Sequence, residues 1–318
     1  MVTPAKDLHD PKAATPVEID HKDRLRGMVL VAIASIGISF GGLISRYMED
    51  ADAWQINIHR SLSTAAVVAV VFLFRYRGRA AGQFVRIGRP GIFGAGLLAI
   101  AGIAFMQALT TTTVANALFT LSAIPFITAA LAWIFMREGL SNVTIVTMIA
   151  AAAGVAVMLA EGLGGGSLYG NAMALLTAVG FSGYAVIIRR HRHLDMLPAY
   201  LLSAIMLFAV ALLARIGDWS VSWWDFVLCF IWGGVLSGVG NIFFIAATRY
   251  LFAAEVTLFM LLEFALGPLW VWLFVNETPS SWTLAGGSLI MAAVFARTLY
   301  QVRVSRRVVV RGRLPGPV

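Results

Sequence analysis

Apolar residues run along this chain in long blocks, near 27–46, 54–74, 91–110, 114–136, 142–160, 168–188, 197–214, 226–247, 252–275 and 282–300, with short joints between them. A helix of about 20 apolar residues crosses a hydrocarbon core of about 30 Å, and its backbone satisfies its own hydrogen bonds there. The pattern predicts an all-α integral membrane protein with ten transmembrane helices. The joints are mostly under ten residues, so neighbouring helices run antiparallel. Ahead of the first block, residues 1–26 form a mixed-charge tail expected to be disordered. Ala51-Asp52-Ala53 faintly resembles a cleavage site, but the tail is long for a leader and the first helix is read as retained.

Composition agrees with the blocks. Of 318 residues 59% are hydrophobic and 13% charged, with a mean hydropathy of +0.83. Soluble domains carry about 25% charged residues. A net charge of +8 raises the question of nucleic acid, but the basic residues flank apolar runs, as cytoplasmic charges of polytopic proteins do. Nucleic acid is therefore excluded as a partner. With the amino terminus inside, all but three of the 24 Lys and Arg fall on the cytoplasmic side; the exceptions are Arg46 and Arg215 outside and Arg60 within a span. Both termini are read as cytoplasmic. The single cysteine, Cys229, excludes an intrachain disulfide and reads as a small core residue.

The chain also repeats itself. Sliding it by 139 residues aligns ALAWIFMREGLS (130–141) with LWVWLFVNETPS (269–280) and superposes Phe105/Phe244, Ala108/Ala247, Ala115/Ala254, Trp133/Trp272 and Glu138/Glu277. A slide of 143 superposes Gly37/Gly180, Ser39/Ser182 and Arg46/Arg189. The expected organisation is a tail (1–26), a five-helix repeat (27–160), a glycine-rich linker (161–167), a second five-helix repeat (168–300) and a basic tail (301–318). Five spans is an odd number, so the second copy stands inverted. Inverted repeats are a construction of secondary transporters, with the site near the midplane between the halves.

The paired patterns Ala115…Pro125…Glu138 and Ala254…Pro268…Glu277, Arg60 in helix two and the openings of helices one and six resemble the ten-helix, EamA-domain branch of the drug/metabolite transporter superfamily. The similarity covers nearly all of residues 25–300, with Pro268 one turn beyond the equivalent of Pro125. The resemblance implies a carrier of small metabolites in the bacterial inner membrane, of the amino-acid exporter type. It also implies a cavity lined by helices one, three, four, six, eight and nine.

Candidate site residues are polar or aromatic groups inside spans. Glu263 lies eleven residues into helix nine, roughly 16 Å deep, and Arg60 roughly 10 Å below the outer face. Ionisable groups there are costly and mark function by default, so a Glu263–Arg60 pair, or a shared polar cluster, is expected. The bland alternative is an Arg60 that snorkels and a protonated Glu263 that joins two helices. Ser39, Ser182, Asn116, Gln107 and Asn241 are candidate substrate groups, and Phe40, Tyr184 and Phe244 candidate walls. Interhelical hydrogen bonding and packing are the commoner uses of such residues. His59 reads as a helix contact, Glu255 as favoured by a helix dipole, and Glu138 and Glu277 as interfacial or gating groups. The GxxxG spacings Gly37–Gly41 and Gly234–Gly238 predict close seams, and the kinks at Pro125 and Pro268 are expected to face the cavity.

The linker lacks GxxxxGK[ST], and no HExxH occurs. No cofactor, metal or catalytic residue is expected. The partners are a small-molecule substrate and the bilayer, with the oligomeric state left open, monomer included. The rival functions are a passive channel, a membrane-embedded enzyme acting on lipid-linked substrates, and a scaffold.

Overall fold

The computed structural model describes residues 21–137, 139–162, 168–191, 194–247, 250 and 253–310. These are helices joined by short connections, with no strand among the described residues. α1 (His21–Ser39) continues past Phe40 as α2 (Gly41–Arg46). α3 (Ala53–Tyr76) starts at a capping box: the Asp52 carboxylate accepts from the N–H groups of Trp54 and Gln55, and the Gln55 side chain accepts from the N–H of Asp52. A 3₁₀ turn (Arg77–Arg79) leads into α4 (Ala80–Thr111), which bends at Gly88 (φ 55°) just ahead of Pro90. Only glycine enters that left-handed region without strain. The helix thus begins well before the apolar block at 91, because its first turns carry arginines that read as a loop.

α5 (Val114–Leu121) and α6 (Ile124–Met136) replace the single helix expected over 114–136. Thr113 caps α5 by accepting from the N–H of Asn116, and Pro125 sits in the first turn of α6, where its missing N–H leaves no gap. α7 (Asn142–Gly162), α8 (Leu168–Arg190) and α9 (Leu197–Ala214) follow. The eighth apolar block is composite: α10 (Trp223–Phe230), a π-helical stretch (Ile231–Val239) and α11 (Gly240–Ala247) run on without a break. α12 (Ala253–Val275) contains Pro268, and α13 (Ser281–Val310) ends the described chain.

Among the described residues, seven helical stretches are long and apolar enough to cross a membrane, and Asn142–Met158 and Leu262–Val275 are shorter apolar helices. Large apolar side chains cover the outside: Phe74 is 79% exposed and Leu213 73%. On a soluble protein such a surface would aggregate; against lipid tails it is at home. The protein is a multi-pass membrane protein.

Small residues set the helix pairings. α4 packs along α8 and α9, α3 along α9 and the π-helical stretch, and α7 along α13. α1 packs along α11 and α12, as α8 does along α5 and α6. At the α7–α13 crossing a Cβ on Gly154 would lie 2.7 Å from the Gly286 carbonyl oxygen, so backbone meets backbone there. A Cβ on Gly180 of α8 would meet the Leu97 carbonyl and Ala101 of α4, and one on Gly37 of α1 would meet Leu236 of the π-helical stretch. Gly240 stands in the same way against Ile38.

Candidate functional site

A cavity opens where seven helical segments converge. α1 and α2 supply Ile38, Ser39, Gly41 and Gly42, α3 supplies Arg60, α4 and α5 supply Phe105 and Leu118, the π-helical stretch supplies Trp232 and Ser237, and α12 supplies Glu263. Its volume is about 60 Å³, room for a couple of water molecules. Small-molecule sites usually enclose about 300–1,000 Å³. The helices are nearly closed on one another around it.

The floor of the cavity is an arginine on a tryptophan. The Arg60 guanidinium carbon lies 5.0 Å from the Trp232 ring centroid, and Phe105 meets that ring edge-on at 6.4 Å. Trp232 is 2% exposed and fits only because Gly41 has no side chain: a Cβ there would lie 2.6 Å from its Nε1. Beneath it, α3 and the π-helical stretch are clamped. The Thr64 hydroxyl is shared between the carbonyls of Arg60 (2.9 Å) and Gly233 (2.8 Å), and Gly233 packs directly on the Arg60 carbonyl. A π-helical stretch frees carbonyls that an α-helix would use, and it often sits at a functional position.

Arg60 itself is poorly satisfied. Its Nη2 reaches the Asn57 Oδ1 at 3.4 Å and the Gly102 carbonyl at 3.5 Å, both at the limit of a hydrogen bond. Its Nε and the Asn57 Nδ2 are shielded and have no partner. No ion pair joins Arg60 to Glu263 among the described residues; of the expected pair or shared polar cluster, the two ionisable groups line one cavity without a direct bond. The physical reason is that Trp232 covers the guanidinium face and holds it by a cation–π contact.

Beside the cavity, the Trp270 Nε1 donates to the Ser39 hydroxyl at 2.9 Å, and Phe40 stacks on Trp270 at 5.0 Å, 6° from parallel. The remaining candidates do not line the cavity. Asn116 donates to the Asn171 side chain of α8 and to the Thr112 hydroxyl, which joins α5 to α8. Ser182 is fully buried and donates to the Ile124 carbonyl at 3.2 Å. Asn241 donates to the Tyr200 hydroxyl and the Ser237 carbonyl, one turn from the cavity. Tyr184 packs on Gly94 and edge-on to Phe181. Gln107 is half-buried in α4. The side chains of Phe244 and Glu255, and Glu138 itself, lie outside the described residues. Neither proline faces the cavity as expected: Pro125 instead accepts from the Arg297 Nη1 at 2.8 Å, and Pro268 is buried in α12. His59 is a helix-to-loop contact, with Nε2 2.8 Å from the Trp219 carbonyl and Phe226 against its edge.

A second polar cluster closes one end of the bundle. The Arg46 Nε donates to Glu277 at 2.6 Å, and its two Nη groups donate to the carbonyls of Leu109 (2.6 Å) and Thr112 (2.9 Å). The other Glu277 oxygen accepts from the N–H of Val114 at 2.7 Å, at the start of α5. At the same end, Arg215 pairs with Asp52 at 2.9 Å. Asp225, fully buried, accepts from the N–H groups of Glu49, Asp50 and Ala51 and so pins the turn between α2 and α3.

Trp232, Ser237, Trp270 and Leu118 escaped the sequence reading. The only available signal was Trp232 beside the Gly233-Gly234 pair, since an apolar tryptophan in an apolar helix otherwise reads as core.

The described helices thus form a membrane bundle around a small cavity in which Arg60 lies over Trp232 and Glu263 lines the wall. The EamA-like transporter family profile matches residues 25–160 and again 168–298, and the chain belongs to this family. A crystal structure, described only as that of a protein, shares the fold with a TM-score of 0.63 and 17% identity over 87% of this chain and 98% of that one. No curated protein matches the chain.

Proposed function

We propose that the chain is a secondary transporter working by alternating access, which exports small amphipathic metabolites, amino acids including aromatic ones, across the bacterial inner membrane. The observation that carries this reading is the central cavity, to which both family domains contribute: Ser39, Arg60 and Phe105 come from the first, Trp232, Ser237 and Glu263 from the second. A site between two repeats is where rocking of one half against the other exposes it to alternate sides.

Ten spans as two inverted five-helix repeats are the architecture proposed. Reading Ala53–Thr111 as two crossings and adding α7 and α12 turns the seven apolar stretches into ten. The packing exchanges under the repeat: α4 on α8 corresponds to α11 on α1, α4 on α9 to the π-helical stretch on α3, and α6 on α8 to α12 on α1. The register agrees at single residues. Gly180 against Leu97 maps, by the offsets 143 and 139 read from the sequence, onto Gly37 against Leu236, and Ala101 maps onto Gly240, which packs on Ile38, the neighbour of Gly37. Both termini are placed in the cytoplasm by the Lys and Arg asymmetry, and the two off-side arginines, Arg46 and Arg215, are each neutralised by a carboxylate.

The test is counterflow in proteoliposomes of purified protein with a panel of labelled amino acids, with and without a pH gradient. A carrier accumulates labelled substrate against unlabelled substrate inside; a passive channel equilibrates it. Failure of every amino acid would overturn the substrate, and equilibration without accumulation would overturn the carrier.

A further inference from the structure

We infer that Arg60, positioned by Asn57, forms a carboxylate-binding subsite, and that the ligand's apolar body lies on the Trp232–Phe105 side of the same cavity. The inference rests on the reading of that cavity as the transport site and assigns its polar end. Two donors, the Arg60 Nε and the Asn57 Nδ2, are shielded from solvent and have no acceptor in the protein. They lie one turn apart on α3, and the remaining guanidinium bonds, at 3.4 and 3.5 Å, are long. Buried donors without acceptors are rare in native proteins, and a site that keeps them holds them for something that enters. Trp232 covers the face of the guanidinium at 5.0 Å, so only its edge is left to act. That edge offers two parallel N–H groups, which match the two oxygens of a planar carboxylate better than a spherical ion or a lone hydroxyl. Asn57 does not line the cavity; its Oδ1 accepts from the Arg60 Nη2 and orients the guanidinium. Ile38, Phe105 and Leu118 give the cavity an apolar side that suits a hydrocarbon or aromatic body, and Ser39, Ser237 and Glu263 are its other polar groups.

Three probes of similar bulk separate the chemistry: 3-phenylpropanoate, 3-phenylpropylamine and 3-phenyl-1-propanol, each added to the purified full-length protein while its unfolding temperature is measured. The expected result is stabilisation of the wild type by the acid alone. Arg60→Gln should abolish it, and Arg60→Lys, which keeps the charge but loses the two-donor edge, should weaken it roughly 10-fold to 100-fold. Asn57→Ala should weaken it less. If Arg60→Gln does not fold, Arg60→Lys and Asn57→Ala carry the test. Equal stabilisation by the alcohol or amine, no stabilisation of the wild type by the acid, or full retention of acid binding in Arg60→Lys would overturn the subsite. The assay needs no transport, so its outcome is separate from counterflow. Acid-selective binding without counterflow would leave the subsite standing and sink the carrier.

Discussion

Glu277→Gln is the most telling single perturbation outside the cavity. The carboxylate receives the Arg46 Nε at 2.6 Å and the Val114 N–H at 2.7 Å, and both partners' side chains are about a fifth exposed (22% for Arg46, 19% for Glu277). Exposed ion pairs contribute about 0.2–1 kcal/mol, and breaking a fully buried one costs about 3–5 kcal/mol. An amide keeps one acceptor oxygen and loses the charge, so the expected loss is about 2 kcal/mol, between those limits. Arg46→Met removes the other partner and also the bonds to Leu109 and Thr112, and should cost more. In a double-mutant cycle the pair should show a coupling of about 2 kcal/mol, read from equilibrium unfolding in mixed detergent micelles. The Arg215–Asp52 pair, with side chains 39% and 42% exposed, is the control. Arg215→Gln should change stability by no more than about 1 kcal/mol. If the Arg46 and Glu277 substitutions prove additive within about 0.5 kcal/mol, the claim that this cluster ties α2, α5 and the segment after α12 together is wrong.

Gly233→Ala places a methyl on the Arg60 backbone carbonyl, which cannot swing aside, so it should cost at least about 2 kcal/mol and disturb transport, checked by unfolding and counterflow together. Gly286→Ala puts a Cβ 2.5 Å from the Gly154 carbonyl and should separate α7 from α13 at a cost of about 1–3 kcal/mol, whereas Gly82→Ala, with open space around it, should be neutral in the same assay. Asp225→Ala leaves three N–H groups of the α2–α3 turn without their acceptor; a loss of about 2–4 kcal/mol and faster proteolysis at residues 47–52 are expected. Trp270→Phe keeps the stack on Phe40 but deletes the hydrogen bond to Ser39, and should cost about 1 kcal/mol by the same unfolding measurement.

Each of the ten apolar blocks lies on helix in the structure, so the order of elements was legible from the run lengths alone. The offsets 139 and 143, found by sliding the chain on itself, land on matching contacts of Gly37 and Gly180. These features are legible because the cost of an unsatisfied backbone in lipid forces helices of a set length, and because duplicated residues keep their spacing. The cavity was legible only in part. Ser39, Arg60 and Glu263 line it, but Arg60 meets Trp232 rather than Glu263, and Arg46 meets Glu277, 231 residues away. Only the tertiary structure decided those partners. In water, the apolar stripe of a helix declares which face turns inward; in lipid both faces are apolar, and the stripe disappears. Helix rotation is then set by where small residues let backbones close, as at Gly41, Gly233 and Gly286, and by a π-helical stretch that re-aims Trp232 and Ser237. Neither leaves a periodic mark in one sequence.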